Sequence, residues 1–186
     1  RAPVYVRVNQ ARLTVESAIE KLASAGIPAK LVPGVKTALE VTGNERKIQV
    51  SAAYLDGEIE LQDAASQAVI AALPLRDGMR VLDYCAGGGG KTLAMAARAR
   101  LQLVAHDGAA RRMADLPARA ARAGVDVMLT QNPKTSDIYD LVLADVPCSG
   151  SGSWRRDPQG KWALTPERLL QLMDMQLDIL AQVAPL

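Results

Sequence analysis

The sequence contains little of what several common classes of protein require. It has one histidine and two cysteines among 186 residues, so a histidine-rich metal site and a disulfide scaffold are excluded, and no Cys-x-x-Cys pair indicates zinc. No apolar run reaches the roughly 20 residues that cross a bilayer. The net charge is only +2, so composition neither demands nor excludes a nucleic acid. We therefore expect a reduced, cytoplasmic setting with no resident metal and no membrane partner.

The apolar content of the chain is sufficient for one sizeable core, or for one domain and a small appendage, since 49% of the residues are hydrophobic. The first residues, 1–4, include neither Met nor a secretory pattern. We expect the chain to be a monomer and a piece of a longer protein.

The N-terminal part of the chain has the pattern of a small α+β module. Valines alternate with other residues from Val4 to Val8, as in a half-buried strand. Thr14 is placed to cap the helix that follows. Further strands are predicted at residues 30–32, 38–41 and 47–50. We assign the module to residues 1–53, and we assign residues 54–73 to a connecting segment and a helix, predicted at residues 68–72, that leads into the next domain.

After Pro74, predicted strands alternate with predicted helices. Strands are predicted at residues 79–83, 101–106, 126–130 and 139–145. Helices are predicted at residues 91–100, at residues 109–123 and after Thr165. Pro117 would kink or break the second of these helices, and Pro166 suits the first position of the third. The alternation indicates an α/β domain over residues 74–186, with a parallel sheet covered on both faces.

The glycine-rich turn from Asp83 to Thr92 is the first candidate site. Its four consecutive glycines, Gly87 to Gly90, lie between a predicted strand and a predicted helix, and parallel sheets bind ligands at such strand ends. Glycine lets the backbone approach a ligand closely. Asp107 ends the next strand, 20 residues after Gly87, which is the spacing at which an acid meets a ribose hydroxyl pair. A turn used only for packing is the alternative.

Two cofactors compete for this turn. Gly90-Lys91-Thr92 fits the end of a phosphate-binding loop, with Asp145 as a magnesium ligand of an NTPase. That loop needs a glycine where this chain has Cys85, whose side chain would crowd the phosphates. S-adenosyl-L-methionine needs a glycine turn, an acid for the ribose and a flat slot for the adenine. Asp107 favours S-adenosyl-L-methionine, and the NTPase stays open as the alternative.

The second candidate site is Asp145-Val146-Pro147-Cys148, which leaves a predicted strand and continues as Ser149-Gly150-Ser151-Gly152. Methylation of cytosine at C5 requires a thiolate to add to C6, because this addition makes C5 nucleophilic. Asp145 can hydrogen-bond the N3/N4 edge of the ring. A small buried thiol is the alternative for Cys148. Proline before Cys148 and small residues after it favour an exposed, tightly turned site.

These motifs resemble those of the Nop/Sun-type RNA (cytosine-5) methyltransferases, and of the bacterial RsmB-like ribosomal RNA enzymes most closely. The turn from Asp83 to Thr92 is similar to the family's Asp-x-Cys-Ala-Ala-Pro-Gly-Gly-Lys-Thr cofactor loop. The other matches follow in order: Val6-Arg7-Val8-Asn9, Leu61-Gln62-Asp63-Ala64-Ala65-Ser66-Gln67, Val104-Ala105-His106-Asp107, and Asp145 to Gly152 with Trp154-Arg155-Arg156-Asp157-Pro158. The resemblance covers nearly the whole chain.

The resemblance implies a Rossmann-like, S-adenosyl-L-methionine-dependent methyltransferase domain, incomplete at its C-terminal end and preceded by an RNA-binding module. The implied reaction is methylation of cytosine C5 in RNA, most directly 16S ribosomal RNA. The residues implied to bind the cofactor are Cys85, Ala86, Gly87, Gly88, Gly89, Gly90, Lys91, Asp107, Arg112, Asn132 and Asp145. The implied catalytic residues are Cys148 and Asp145, and the implied RNA contacts are Arg7, Arg155 and Arg156.

The chain departs from the family pattern in three places. Gly87-Gly88 stands where the family has Ala-Pro, which implies a more flexible turn and weaker cofactor binding. Asn132 stands near the position of a third cofactor acid, and its amide can still hydrogen-bond the adenine. The family's attacking cysteine belongs to a later Thr-Cys motif, beyond Leu186, and the Pro-Cys cysteine, here Cys148, assists product release. The resemblance therefore implies a fragment that is inactive by itself, and a non-catalytic, RNA-binding relative of the family stays open as an alternative.

Overall fold

The computed structural model describes residues 2–186, and two four-stranded sheets lie within them. The first sheet is antiparallel throughout. Its strands are β1 (Val4–Val8), β2 (Ala29–Val32), β3 (Val35–Val41) and β4 (Ile59–Leu61). They lie in the order β2-β3-β1-β4. Two helices accompany this sheet, α1 (Val15–Ser24) and α2 (Ala52–Leu55).

The alternating directions of the β1 side chains explain how α1 packs on one face of the first sheet. Val6 and Val8 point to one face and are fully buried in a cluster that includes Leu22 of α1, because successive side chains of a strand point to opposite faces. Helix α1 begins where predicted: the Thr14 hydroxyl accepts a hydrogen bond from the Ser17 N–H at 3.2 Å. The first layer thus has an apolar core of its own.

The second sheet is parallel, as predicted. Its strands are β5 (Arg80–Asp83), β6 (Gln102–Ala105), β7 (Val127–Leu129) and β8 (Leu141–Leu143), in the order β7-β6-β5-β8. The helices around it are α3 (Ala64–Ala71), α4 (Gly90–Ala96), α5 (Leu116–Ala123), α6 (Pro158–Ala163) and α7 (Pro166–Val183). Short 3₁₀ turns occupy Glu45–Val50, Ala110–Met113 and Ser151–Ser153.

Helices cover both faces of the parallel sheet. On one face, Val81 of β5 and Leu103 of β6 pack in a cluster with residues of α3 and α4. On the other face, Leu82 of β5 packs in a cluster with Val183 of α7. Pro117 lies in the first turn of α5, and the helix predicted at residues 109–123 is indeed broken into a 3₁₀ turn and α5, since proline has no N–H to continue a helix.

Two local predictions in the first part of the chain are wrong. The strand expected at residues 47–50 is a 3₁₀ turn that begins after Asn44, whose backbone is left-handed with φ 56°. The helix expected at residues 68–72 begins earlier, at Ala64, because the Asp63 side chain caps it by accepting from the Ala65 N–H at 3.0 Å. Capping by Asp63 therefore determined where α3 begins.

The antiparallel sheet continues past residue 53, where we had placed the end of the module. Strand β4 pairs with β1, with Val6 opposite Leu61, although the sequence around β4 was interpreted as a connection. Its three residues are too few for a periodic pattern to be visible. The division of the chain into a module, a linker and a methyltransferase domain stays a prediction.

Polar contacts attach the first sheet to α5 of the second layer. The Asn9 side chain donates to the Ala123 carbonyl at 3.5 Å, and the Arg12 Nε donates to the same carbonyl at 3.1 Å. The buried carboxylate of Glu60 on β4 accepts from Arg122 of α5 at 2.7 Å. The two layers are therefore in direct contact through α5.

Helix α7 is only partly covered by the rest of the described chain. Its apolar residues exposed to solvent are Leu169, Leu170, Met173, Met175, Leu177 and Leu180. Within residues 2–186, no helix combines the length and the apolar character that crossing a membrane requires.

Candidate active site

The glycine turn connects β5 to α4 and has a backbone that only glycine adopts easily. Gly87 and Gly89 have φ values of +50° and +80°, in the left-handed region that disfavours residues with a Cβ. A Cβ on Gly89 would also overlap the Leu116 side chain of α5. The Ala86 N–H donates to the His106 carbonyl at 2.8 Å, which fixes the turn to the end of β6. Close packing, and not flexibility, therefore explains at least one of the four glycines.

Asp107 lies directly beside the turn, as its spacing from Gly87 predicted. Its buried carboxylate accepts from the Gly87 N–H at 3.0 Å and from the Ala109 N–H at 2.9 Å. The Arg112 guanidinium lies 3.2 Å from the same carboxylate and is about half exposed. The structure thus brings together three of the predicted cofactor residues, Gly87, Asp107 and Arg112.

Two adjoining cavities open around this arrangement. The first has a volume of about 330 Å³ and a mainly apolar wall that includes Tyr84, Pro147 and Ile179, with Asp107 at its edge. The second, about 210 Å³, is bordered by the glycine turn, Lys91 and Asp145. Cys85 and Arg112 line both cavities.

The two cavities fit S-adenosyl-L-methionine. A flat apolar wall beside a buried carboxylate suits an adenosine, since small-molecule sites combine apolar surface with a few placed polar groups. The second cavity offers backbone groups of the turn, a cation on Lys91 and an anion on Asp145, which suit the charged amino-acid part of the same molecule. The residues present are therefore consistent with this cofactor.

Asp145 and Cys148 lie at the carboxyl end of β8, next to the turn. Asp145 forms an ion pair with Lys91 at 2.5 Å and remains half exposed. Cys148 is exposed, and Pro147 before it lines the larger cavity. Gln176 of α7 donates to the Pro147 carbonyl at 2.8 Å and so anchors the segment. The exposed position of Cys148 agrees with a reactive turn and disagrees with a buried packing thiol.

The second cysteine has a different environment. Burial, together with nearby Asp107 and Asp83, raises the pKa of the Cys85 thiol to about 11. Cys85 is therefore a neutral thiol at physiological pH, and only the thiolate is a nucleophile. Its place in the wall of both cavities suits a packing role against the cofactor.

Six predicted site residues line neither cavity. Two of them, Gly89 and Cys148, adjoin residues that do, and the other four are Asn132, Arg155, Arg156 and Arg7. Asn132 is exposed and lines neither of them. Arg155 is exposed, and Arg156 forms an ion pair with Asp63 at 2.8 Å. Arg7 is buried, with 4% exposure, and lines a separate cavity. Sequence alone does not show this burial, and the RNA contact of Arg7 stays a prediction.

Sequence reasoning overlooked several residues that build the site. Gln62 donates to the Gly90 carbonyl at 3.0 Å, and Arg119 donates to the Gly88 carbonyl, so both side chains hold the turn from outside. The Tyr84 hydroxyl donates to Gln182 of α7 at 2.8 Å. His106 packs against Tyr84 with ring centroids 4.6 Å apart and the ring planes tilted by 53°. Gln62, Tyr84 and His106 carried a signal through their places in motifs quoted above, whereas Arg119 and Gln182 carried none.

The buried pair of Asp83 and Thr92 argues against the NTPase alternative. The Thr92 hydroxyl, which such a loop would present to magnesium, is fully buried and donates to Asp83 at 2.7 Å. Lys91, which would face phosphates, pairs with Asp145. Lys91 and Thr92 therefore bind carboxylates of this chain, and neither is free for a phosphate or a magnesium ion.

Asp83 should make the stability of the chain depend on pH. Burial raises the pKa of its carboxyl group to about 6, whereas an unfolded Asp titrates near about 3.9. Between about pH 4 and pH 6 the unfolded chain has lost this proton and the folded chain keeps it, so stability falls as the pH rises and levels off above the folded pKa. The two pKa units correspond to about 3 kcal/mol.

The Asp83→Asn variant should lack the pH dependence of stability that Asp83 causes. Urea denaturation of the wild type and the variant at several pH values between about 4 and 6 measures both free energies of unfolding. The wild type should lose stability relative to the variant as the pH rises. A constant difference between the two curves would contradict the assignment.

Known proteins resemble this chain over most of its length. A family model described as 16S rRNA methyltransferase RsmB/F matches residues 70–186, more than half of the chain. The ribosomal RNA small subunit methyltransferase B of Xanthomonas campestris pv. campestris is 32% identical over 169 residues, which are 84% of this chain and 38% of that protein. The chain spans less than half the length of the curated relatives it matches first.

Solved structures share the fold. The crystal structure of PH0851 superposes with a TM-score of 0.91 at 26% identity, covering 100% of this chain and 44% of the other. A methyltransferase homolog protein from Pyrococcus horikoshii superposes with a TM-score of 0.71 at 27% identity, covering 92% of this chain and 60% of that protein. Both structures therefore share the fold of this chain over most of its length. From the family match and the common fold, we conclude that the chain belongs to the RsmB/F family of 16S rRNA methyltransferases.

Proposed function

We propose that this chain holds the cofactor site of an enzyme that methylates C5 of a cytosine in RNA, most directly 16S ribosomal RNA. S-adenosyl-L-methionine, the cofactor of the family, supplies the methyl group on a sulfonium centre. The observation that carries the proposal is the junction of two predicted motifs: Pro147, directly before Cys148, lines the same cavity as Asp107. A thiol-bearing turn and a ribose acid at one sheet edge suit methyl transfer to a pyrimidine.

Each residue of the proposed site has a task that its position supports. Asp107 and Arg112 border the larger cavity, where Asp107 accepts from the ribose. Asp145 is half exposed, so it can reach the N3/N4 edge of a cytosine flipped out of its stack, while Lys91 keeps it oriented. Cys148 assists release of the methylated base. The attacking cysteine belongs to a Thr-Cys motif that we place beyond Leu186.

The RNA contacts, the monomeric state and the cytoplasmic location are part of the same proposal. Arg155 is exposed near Cys148, and its charge suits contact with phosphates of the bound RNA. Arg156 lies beside it, held by Asp63. We expect both to affect RNA affinity and to leave cofactor affinity unchanged.

The test is methyl transfer by the full-length protein that carries this sequence. With S-adenosyl-L-methionine labelled on the methyl group and unmodified 16S rRNA, the labelled nucleoside should be 5-methylcytidine. The Cys148→Ala variant should accumulate a protein–RNA adduct that survives denaturing electrophoresis, because release of the product is blocked. The Ser149→Ala variant, which keeps the thiol, should release its product normally.

The same assay separates the alternatives. ATP hydrolysis without methyl transfer would support an NTPase, and RNA binding without either activity would support a non-catalytic relative. Asp145→Asn should lower the rate by roughly 10²–10³, as removal of a preorganised group at a transition state does. A label on any atom other than C5 would contradict the proposed chemistry.

A further inference from the structure

Arg7, in the middle of β1, is a buried cation without a counter-charge. The residue is 4% exposed, and its Nε donates to the Gln62 side chain at 2.8 Å. Among residues 2–186, its Nη1 has no hydrogen-bond partner and no carboxylate lies within ion-pair distance. Glu60 is the carboxylate that acts on it from further away, and Glu60 is already bound by Arg119 and Arg122.

Burial of such a group is costly unless an anion compensates it. A buried charge without a partner loses its hydration and gains nothing in return, so buried charges in proteins are paired. Desolvation lowers the pKa of the Arg7 guanidinium to about 10, so the group is still protonated at neutral pH. The described chain therefore contains a positive charge at a position where an anion is missing.

A cavity next to Arg7 could hold that anion. Its volume is about 380 Å³, and Arg7, Lys36 and Arg98 line it together with polar Thr37 and Gln67, but no Asp or Glu lines it. Lys36 is exposed at the rim. Arg98 donates through Nη1 to the carbonyls of Leu73, at 3.1 Å, and of Ile70, and it forms no ion pair among the described residues. Three cations thus surround one opening between the two layers.

We propose that this cavity binds a phosphate group, and that the RNA substrate supplies it from its backbone. Guanidinium groups bind phosphate through two parallel hydrogen bonds, and a lysine adds a mobile point charge. The volume falls within the range of roughly 300–1,000 Å³ that ligand sites have. RNA as the source rests on the proposed function, whereas the phosphate site itself does not. A free phosphate or nucleotide is the other source of the same chemistry.

The site is separate from the cofactor cavities but is linked to them. The Gln62 side chain accepts from Arg7 and donates to the Gly90 carbonyl, so a change at Arg7 can reach the glycine turn. Lys36 has no such link, because it lies on β3 and lines neither cofactor cavity. Variants of Lys36 therefore test the phosphate site without disturbing the cofactor site.

The experiment compares three variants of the chain: Lys36→Ala, Arg7→Met and, as the matched control, Arg46→Ala, which removes an exposed cation outside the cavity. The probes are a short single-stranded RNA, measured by fluorescence anisotropy across a salt series, and pyrophosphate, measured by calorimetry. Calorimetry with S-adenosyl-L-methionine is run in parallel. Arg7→Met is also checked by thermal unfolding, and Lys36→Ala keeps the test valid if Arg7→Met does not fold.

Lys36→Ala should weaken RNA and pyrophosphate binding roughly tenfold, and Arg7→Met should weaken them by up to about a hundredfold. The slope of log affinity against log salt should fall by about 0.7 for each lost phosphate contact. If Lys36→Ala and Arg7→Met lose affinity for pyrophosphate but keep the wild-type affinity for RNA, the site binds a free phosphate and RNA is refuted as the source. Unchanged binding of both probes, or an equal loss in Arg46→Ala, would overturn the site. Failure to bind S-adenosyl-L-methionine would refute the proposed function only.

Discussion

Replacing Asp107 by alanine should weaken the binding of S-adenosyl-L-methionine by roughly tenfold to a hundredfold, the value of a hydrogen bond to a charged group. A carboxylate has about four acceptor positions, and Gly87, Ala109 and Arg112 occupy three of those on Asp107. The fourth is available to a ribose hydroxyl. The variant loses that contact and also releases the Gly87 N–H, which shapes the turn.

Calorimetric titration of the cofactor measures the effect of Asp107→Ala, with thermal unfolding to show that the variant is folded. Asp115→Ala is the matched control, because it removes an exposed carboxylate of the same type that forms no side-chain cap on α5. Arg112→Met should have a smaller effect, since its guanidinium is about half exposed and such ion pairs contribute little. An unchanged affinity in Asp107→Ala would show that the ribose is held elsewhere.

Replacing Gly57 by alanine should destabilise the chain by about 3–5 kcal/mol, since it combines backbone strain and overpacking. Gly57 has φ +70°, and an added Cβ would overlap the backbone carbonyl of Arg122 in α5. A main-chain atom within a helix cannot move aside as a side-chain end can. The variant therefore forces the first layer away from the second, or distorts the loop before β4.

Gly34→Ala provides the matched control for Gly57→Ala. Gly34 has φ +80° and open space around the position of a Cβ, so its replacement should cost only the strain of the left-handed backbone, about 1–2 kcal/mol. Urea denaturation gives both free energies of unfolding. Equal losses would mean that the close approach of the Gly57 loop to α5 does not contribute to stability.

Local sequence signals predicted the elements that local physics determines. Thr14, Pro117 and Pro166 each marked a helix start or break that the structure contains, because capping and the missing proline N–H act within one helical turn. The alternation of strands and helices after Pro74 predicted the parallel sheet, and the spacing of Gly87 and Asp107 predicted their contact.

Contacts between distant parts of the chain were beyond prediction. Arg119 and Gln62 hold the glycine turn from 31 and 28 residues away, and Gln182 reaches Tyr84 across 98 residues. No local pattern encodes such pairs, since each depends on how the layers pack. For the same reason, the burial of Arg7 was not visible in a strand whose alternation suggested an outward-facing side chain.

Two of the contacts between the first sheet and α5 end on a carbonyl group, and this has an evolutionary consequence. Asn9 and Arg12 both donate to the main-chain oxygen of Ala123, and every amino acid offers such an oxygen. Substitutions at position 123 can therefore accumulate while these two contacts persist. Related chains should vary in side chain at that acceptor position, yet retain an amide and a guanidinium as the donors facing it.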